Sequence, residues 1–133
     1  MNYDVLELIP SKLIEEANKI DVLNEILPIQ YEGYTFLSSG DFSDLLSCVK
    51  DCNKFKIEIT DRKVDEDLNV DVSDVKGIVI IAKTNIKFAL RSFDGLTESF
   101  YNRDDIEIFS CMVLDNEIEE GHQKVIIIKG YKN

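Results

Sequence analysis

Residues 64–83 read VDEDLNVDVSDVKGIVIIAK, and how this stretch folds decides the architecture. In its first half Leu68, Val70 and Val72 alternate with Asn69, Asp71 and Ser73, the period-two pattern of a strand with one acidic, wet face. In its second half Ile78–Ile81 is apolar on both faces, which suits a strand covered from both sides at the centre of a sheet. Asp74–Gly77 turns the chain between them. The expectation is a β-hairpin with charge on one arm and core on the other.

Upstream, Pro10 and Ser11 mark a helix start, with Glu15 and Glu16 near the positive end of its dipole. Leu13, Ile14, Ala17, Ile20, Leu23 and Leu27 share one face at helical spacing. Val22 and Ile26 fall on the other side, so the helix either breaks near Asp21 or is widely buried, and it ends before Pro28. A strand is expected at Tyr34–Leu37. A second helix follows from about Ser43 to Asn53, capped by Asp41 or Ser43, with Phe42, Leu45, Leu46, Val49 and Cys52 on its apolar face. Phe55, Ile57 and Ile59 then alternate with Lys56, Glu58 and Thr60 as a half-buried strand, and Asp61–Asp67 is a charged turn.

Downstream, Thr84–Phe93 fits helix and strand equally by periodicity, with a weak lean to helix from the Thr84-Asn85 cap. Ile106–Leu114 is a strand, Glu117–Gly121 an acidic turn, and Lys124–Lys129 (KVIIIK) a last strand. Its flanking lysines are those of a guarded sheet edge. Helices first and adjacent strands later predict an α+β domain over residues 1–133. Its two N-terminal helices would pack on a mostly antiparallel sheet of about five to six strands.

The 133 residues contain 44% hydrophobic and 31% charged side chains, a globular composition. The longest apolar run, Ile78–Ala82, is too short to span a bilayer. Met1–Leu8 has no basic region of the kind that opens a signal peptide. With three cysteines, these features predict a cytoplasmic protein. The net charge of −11 disfavours direct contact with nucleic acid or an anionic membrane. Charge is also laid out in blocks. Residues 58–74 hold seven acids and two bases, 75–93 four bases and no acid, and 94–120 nine acids and one base.

Catalytic templates fail: no G-x-S-x-G, P-loop or G-x-G-x-x-G occurs. Cys48, Cys52, Cys111 and His122 are potential zinc ligands, but Cys48 and Cys52 belong to an apolar helix face, where free cysteine is a small hydrophobe. His122 is the only histidine and stands in a turn beside Glu119 and Glu120. Asp65, Asp67, Asn69 and Asp71 space their oxygens like a calcium loop, but Val70 stands where an EF-hand needs glycine and Lys76 where it needs glutamate. The expectation is therefore a non-enzymatic protein without cofactor or metal.

Two acidic clusters remain. Asp61, Asp65, Glu66, Asp67, Asp71 and Asp74 form one; Asp104, Asp105, Asp115, Glu117, Glu119 and Glu120 form the other. If they converge on one rim, they would mask a basic protein such as a nuclease, toxin or DNA-binding enzyme, as an inhibitor, immunity-type protein or nucleic-acid mimic does. The alternative is a structural or assembly subunit or chaperone, with a homodimer as one such assembly, pairing through the apolar edge strand Lys124–Lys129.

Overall fold

The computed structural model describes residues 8–63, 66, 70–85 and 105–132. Helix α1 (Ser11–Lys19) buries Leu13 and Ala17. It stops at Ile20–Asp21, where Asp21 takes a left-handed φ of 58°, a conformation Asp tolerates better than most residues. Helix α2 (Leu23–Ile26) and a 3₁₀ turn (Leu27–Gln30) follow, the turn accepting Pro28 in its first positions. The break explains why one helical stripe did not account for Val22 and Ile26, both buried on the far side of it. Pro10, not Ser11, occupies the N-cap of α1, and no side chain caps it.

Strand β1 is only Leu37–Ser38, later and shorter than the expected Tyr34–Leu37. Helix α3 (Phe42–Val49) begins at a reciprocal capping box in which Asp41 accepts from the Asp44 amide and Asp44 accepts from the Asp41 amide. Strands β2 (Lys54–Lys63), β3 (Gly77–Thr84), β4 (Glu107–Leu114) and β5 (His122–Tyr131) complete the fold. The five strands form one mixed sheet in the order β1-β4-β3-β5-β2, parallel only between β3 and β4. This is an α+β fold with an N-terminal helical layer, as the element pattern predicts. The expectations for residues 86–104, including most of Thr84–Phe93, lie outside the described residues.

Ile78–Ile81 sits where its composition puts it, in the central strand with both faces covered. On one face Val79 and Ile81 join Phe109, Cys111, Ile126 and Ile128 against Leu13, Ala17, Ile26, Leu45 and Val49 from the helices. On the other, Ile78, Ile80 and Ala82 pack with Met112, Val125 and Ile127 under Val70, Val72 and Val75. Gly77 opens β3 where the end of α3 approaches most closely: a Cβ there would overlap the Cys48 carbonyl.

The expected hairpin does not form. Both sides of β3 are taken, by β4 and by β5, so no edge remains for the preceding segment to pair with. Asp71 also turns its carboxylate onto the Ser73 amide and hydroxyl, at 3.0 and 2.7 Å, which breaks an extended run. The described residues 70–76 contain no strand. Their valines alternate because they are laid over the second face of the sheet.

Two other expectations are corrected by pairing. β2 continues through Asp61–Lys63, read above as a turn, because these residues have partners in Lys124, Gln123 and His122. β5 is not an edge strand but lies between β3 and β2. Lys129 is no guard: it is 3% exposed, with its ammonium 3.3 Å from the Glu58 carboxylate. Among the described residues the edge strands are the short β1 and the ten-residue β2.

Candidate functional site

The acidic residues singled out in the sequence do not form one rim. Asp65, Asp67 and Asp104 lie outside the described residues. The others divide between opposite ends of the sheet, which the ten residues of β2 separate by roughly 30 Å. At one end Asp61, Glu117 and Glu119 line a groove of about 280 Å³ with His122, Gln123 and Lys124. Asp115 is held there by its amide on the Thr84 carbonyl, and the Glu66 amide donates to Lys63. Glu120 stands exposed in the adjoining turn. At the other end are Asp71, Asp74 and Asp105, the last beside Glu107, whose amide donates to the Lys76 carbonyl. Asp71 is held below the usual carboxylate range by its bonds from Ser73, with Lys129 and Lys56 adding to the effect.

His122 opens β5 and places Nε2 3.5 Å from the Glu119 carboxylate, an ion pair only when the ring is protonated. The three cysteines are free and buried. Cys48 and Cys111 have their thiols pushed up to about 12, by burial above all, so neither is a thiolate nucleophile at neutral pH. Among the described residues no group of histidine, cysteine and carboxylate side chains is placed to hold a metal ion. None of their helices is long and apolar enough to cross a membrane.

A buried polar row crosses the sheet beside the acidic groove. Arg62, Gln123 and Thr84 are in register, 7%, 1% and 0% exposed, and Arg62 Nε donates to Gln123 Oε1 at 2.8 Å. A second NH group of Arg62 donates to the Glu66 carbonyl. This row fastens the end of β2 to the sheet.

Two surfaces escaped the sequence reading. One is the outer edge of β2, which is paired to β5 along all ten residues and has no other strand beside it among the described residues. Ile59 there is 43% exposed. The alternation of Phe55, Ile57 and Ile59 marks a strand, but nothing local marks an edge. The other is a groove lined by lysines at the start of β2, whose members come from three separate segments and leave no local signal.

No family model and no curated protein matches the sequence. Among solved structures, the chain is similar to a point mutant of FtsZ from M. jannaschii, with 16% identity and a TM-score of 0.61 over 92% of this chain and 41% of that one. It is likewise similar to an empty FtsZ dimer from the same organism, with 15% identity and a TM-score of 0.64 over 96% and 42%. The chain therefore spans about two-fifths of the length of the FtsZ chains it matches. At this identity the likeness is one of fold. It overturns the expected inhibitor, immunity-type or nucleic-acid-mimic role: the fold is one that FtsZ carries, and the carboxylates that were to mask a basic partner are split between two ends of the sheet.

Proposed function

We propose that the chain is an FtsZ-related assembly module that acts by joining protein chains and carries out no chemistry of its own. The observation that carries this reading is the open β2 edge: ten residues of strand with one side unpaired among the described residues and Ile59 exposed on it. An unpaired edge offers a row of backbone donors and acceptors to an incoming chain. Lys54, Lys56 and Lys63 keep that edge from pairing indiscriminately, so the partner must tolerate or answer their charge. One of the similar structures is an FtsZ dimer, which favours association of this fold with a second protein chain. The inert, buried thiols agree with a non-catalytic role, and three free cysteines fit a reducing cytoplasmic setting.

Sedimentation velocity over a concentration series tests the proposal, comparing the protein with Ile59→Lys. Fully burying an isoleucine is worth about 1.5–3 kcal/mol, and 43% of this one remains to be buried. In a symmetric pair, two copies lose about 1–2.5 kcal/mol, a weakening of roughly five- to seventyfold. The reading requires association that follows mass action and is weakened by this substitution. A chain monomeric at every concentration, or a variant that associates as well as the parent, overturns it.

A further inference from the structure

Where β2 begins and β5 ends, Lys54, Lys56, Asp74, Lys76, Tyr131 and Lys132 line a groove of about 520 Å³. Four ammonium groups and one carboxylate converge there, on a chain whose net charge is −11. The fold holds them in place. Lys54 is the register partner of Tyr131, and Lys56, two residues on, points to the same face. The Lys76 amide donates to the Gly130 carbonyl at 2.8 Å, which fixes the third lysine beside the end of β5.

Lys56 is partly answered by Glu58 at 3.4 Å. No carboxylate among the described residues lies within ion-pair distance of Lys54, Lys76 or Lys132, although Asp74 shares the groove with all three. Like charges gathered at one place repel, and an anion entering between them relieves that repulsion while gaining several ammonium contacts. The volume lies within the range of small-molecule sites, and the Tyr131 phenol adds a hydrogen-bond donor and an aromatic wall.

We propose that this groove binds a compact, multiply charged small anion of the phosphate or polycarboxylate class. The groove shares Lys54 and Lys56 with the β2 edge but not Ile59, and its test reads binding of a small anion, so its failure is distinguishable from failure of the assembly reading.

Isothermal titration at low ionic strength, with inorganic pyrophosphate and citrate as probes, tests it. The two probes distinguish phosphate from carboxylate as the preferred chemistry. One-site binding is expected, with Lys54→Gln/Lys132→Gln weakening it about tenfold or more and Asp74→Asn tightening it severalfold. Asparagine also tolerates the left-handed φ of 64° at position 74, so this second variant changes charge without forcing the turn. Lys12→Gln, on the exposed face of α1, is expected to bind as the parent does. No saturable binding of either probe overturns the proposal. So does equal binding by the double lysine variant with its circular dichroism unchanged, or weaker binding by Asp74→Asn.

Discussion

Thr84→Val is expected to stabilise the protein. Thr84 ends β3, is fully buried, and has no hydrogen-bond partner for its hydroxyl among the described residues. In register it lies between Leu114 of β4 and Gln123 of β5. A hydroxyl buried without a partner costs about 1–3 kcal/mol in mutational data. Valine keeps the β-branched shape that the strand favours and replaces the hydroxyl by a methyl group. The polar Gln123 and Arg62 on the same row gain little from that methyl, which trims the expected benefit to about 1–2 kcal/mol. With an unfolding entropy of about 2.1 cal/mol/K per residue, a chain of 133 residues converts this to a rise in Tm of roughly 4–7 °C. Calorimetry and urea titration at pH 7 measure both quantities on the same samples. Thr84→Ala separates the two contributions, since it removes the hydroxyl but leaves a methyl-sized void; it is expected to fall below Thr84→Val. A loss of about 1 kcal/mol or more for Thr84→Val would refute the reasoning, because it would mean that the hydroxyl is satisfied by a partner such as a buried water.

The Lys129–Glu58 pair predicts an asymmetry. Glu58→Gln leaves a buried ammonium without its anion and is expected to cost about 1–3 kcal/mol, less than for a fully buried pair because the Glu58 side chain is 37% exposed. Lys129→Met removes the charge with its burial cost and is expected to stay within about 1 kcal/mol of the parent; urea denaturation of both variants checks the order. Asp41 is held below the usual 3.8 by the Ser43 hydroxyl and then by the Asp44 amide. Its contribution is therefore fully present above pH 3.8 and is lost as pH falls through the lower folded value. Asp41→Ala is expected to lower Tm at pH 7 and to shrink the difference from the parent at pH 2–3, as a pair of melting curves at each pH will show.

How much of this was legible in the sequence depended on whether the cause was local. Ile78–Ile81 could be placed at the sheet centre because burial on both faces removes polar residues from both phases of the alternation. The capping box at Asp41 and Asp44 was half visible, since Asp before an apolar helical repeat is itself the cause of the cap. The hairpin was misread because two different structures give the same alternation. A strand edge-on to a neighbour and a segment laid over a sheet both need an apolar group at every second position. Lys129 was misread for a similar reason. A lysine beside an apolar run marks a guarded edge only if it is exposed, and its partner Glu58 is 71 residues away.

The charge layout shows how pairing overrides sequence blocks. Because β2 and β5 run antiparallel, the start of β2 meets the end of β5 and the end of β2 meets the start of β5. Lys54 and Lys56 are thereby brought to Tyr131 and Lys132, while Asp61 is brought to the turn carrying Glu117 and Glu119. The described residues 70–76 then lie across the sheet and deliver Asp74 and Lys76 to the lysine end, ten or more residues of sequence from Asp61 but a whole strand length away from it. A cluster of acids in the sequence is thus divided, and lysines scattered over 79 positions are gathered. Which charges meet at each end of the sheet is fixed by strand direction and register. A reading by blocks finds the charges and misses where they meet.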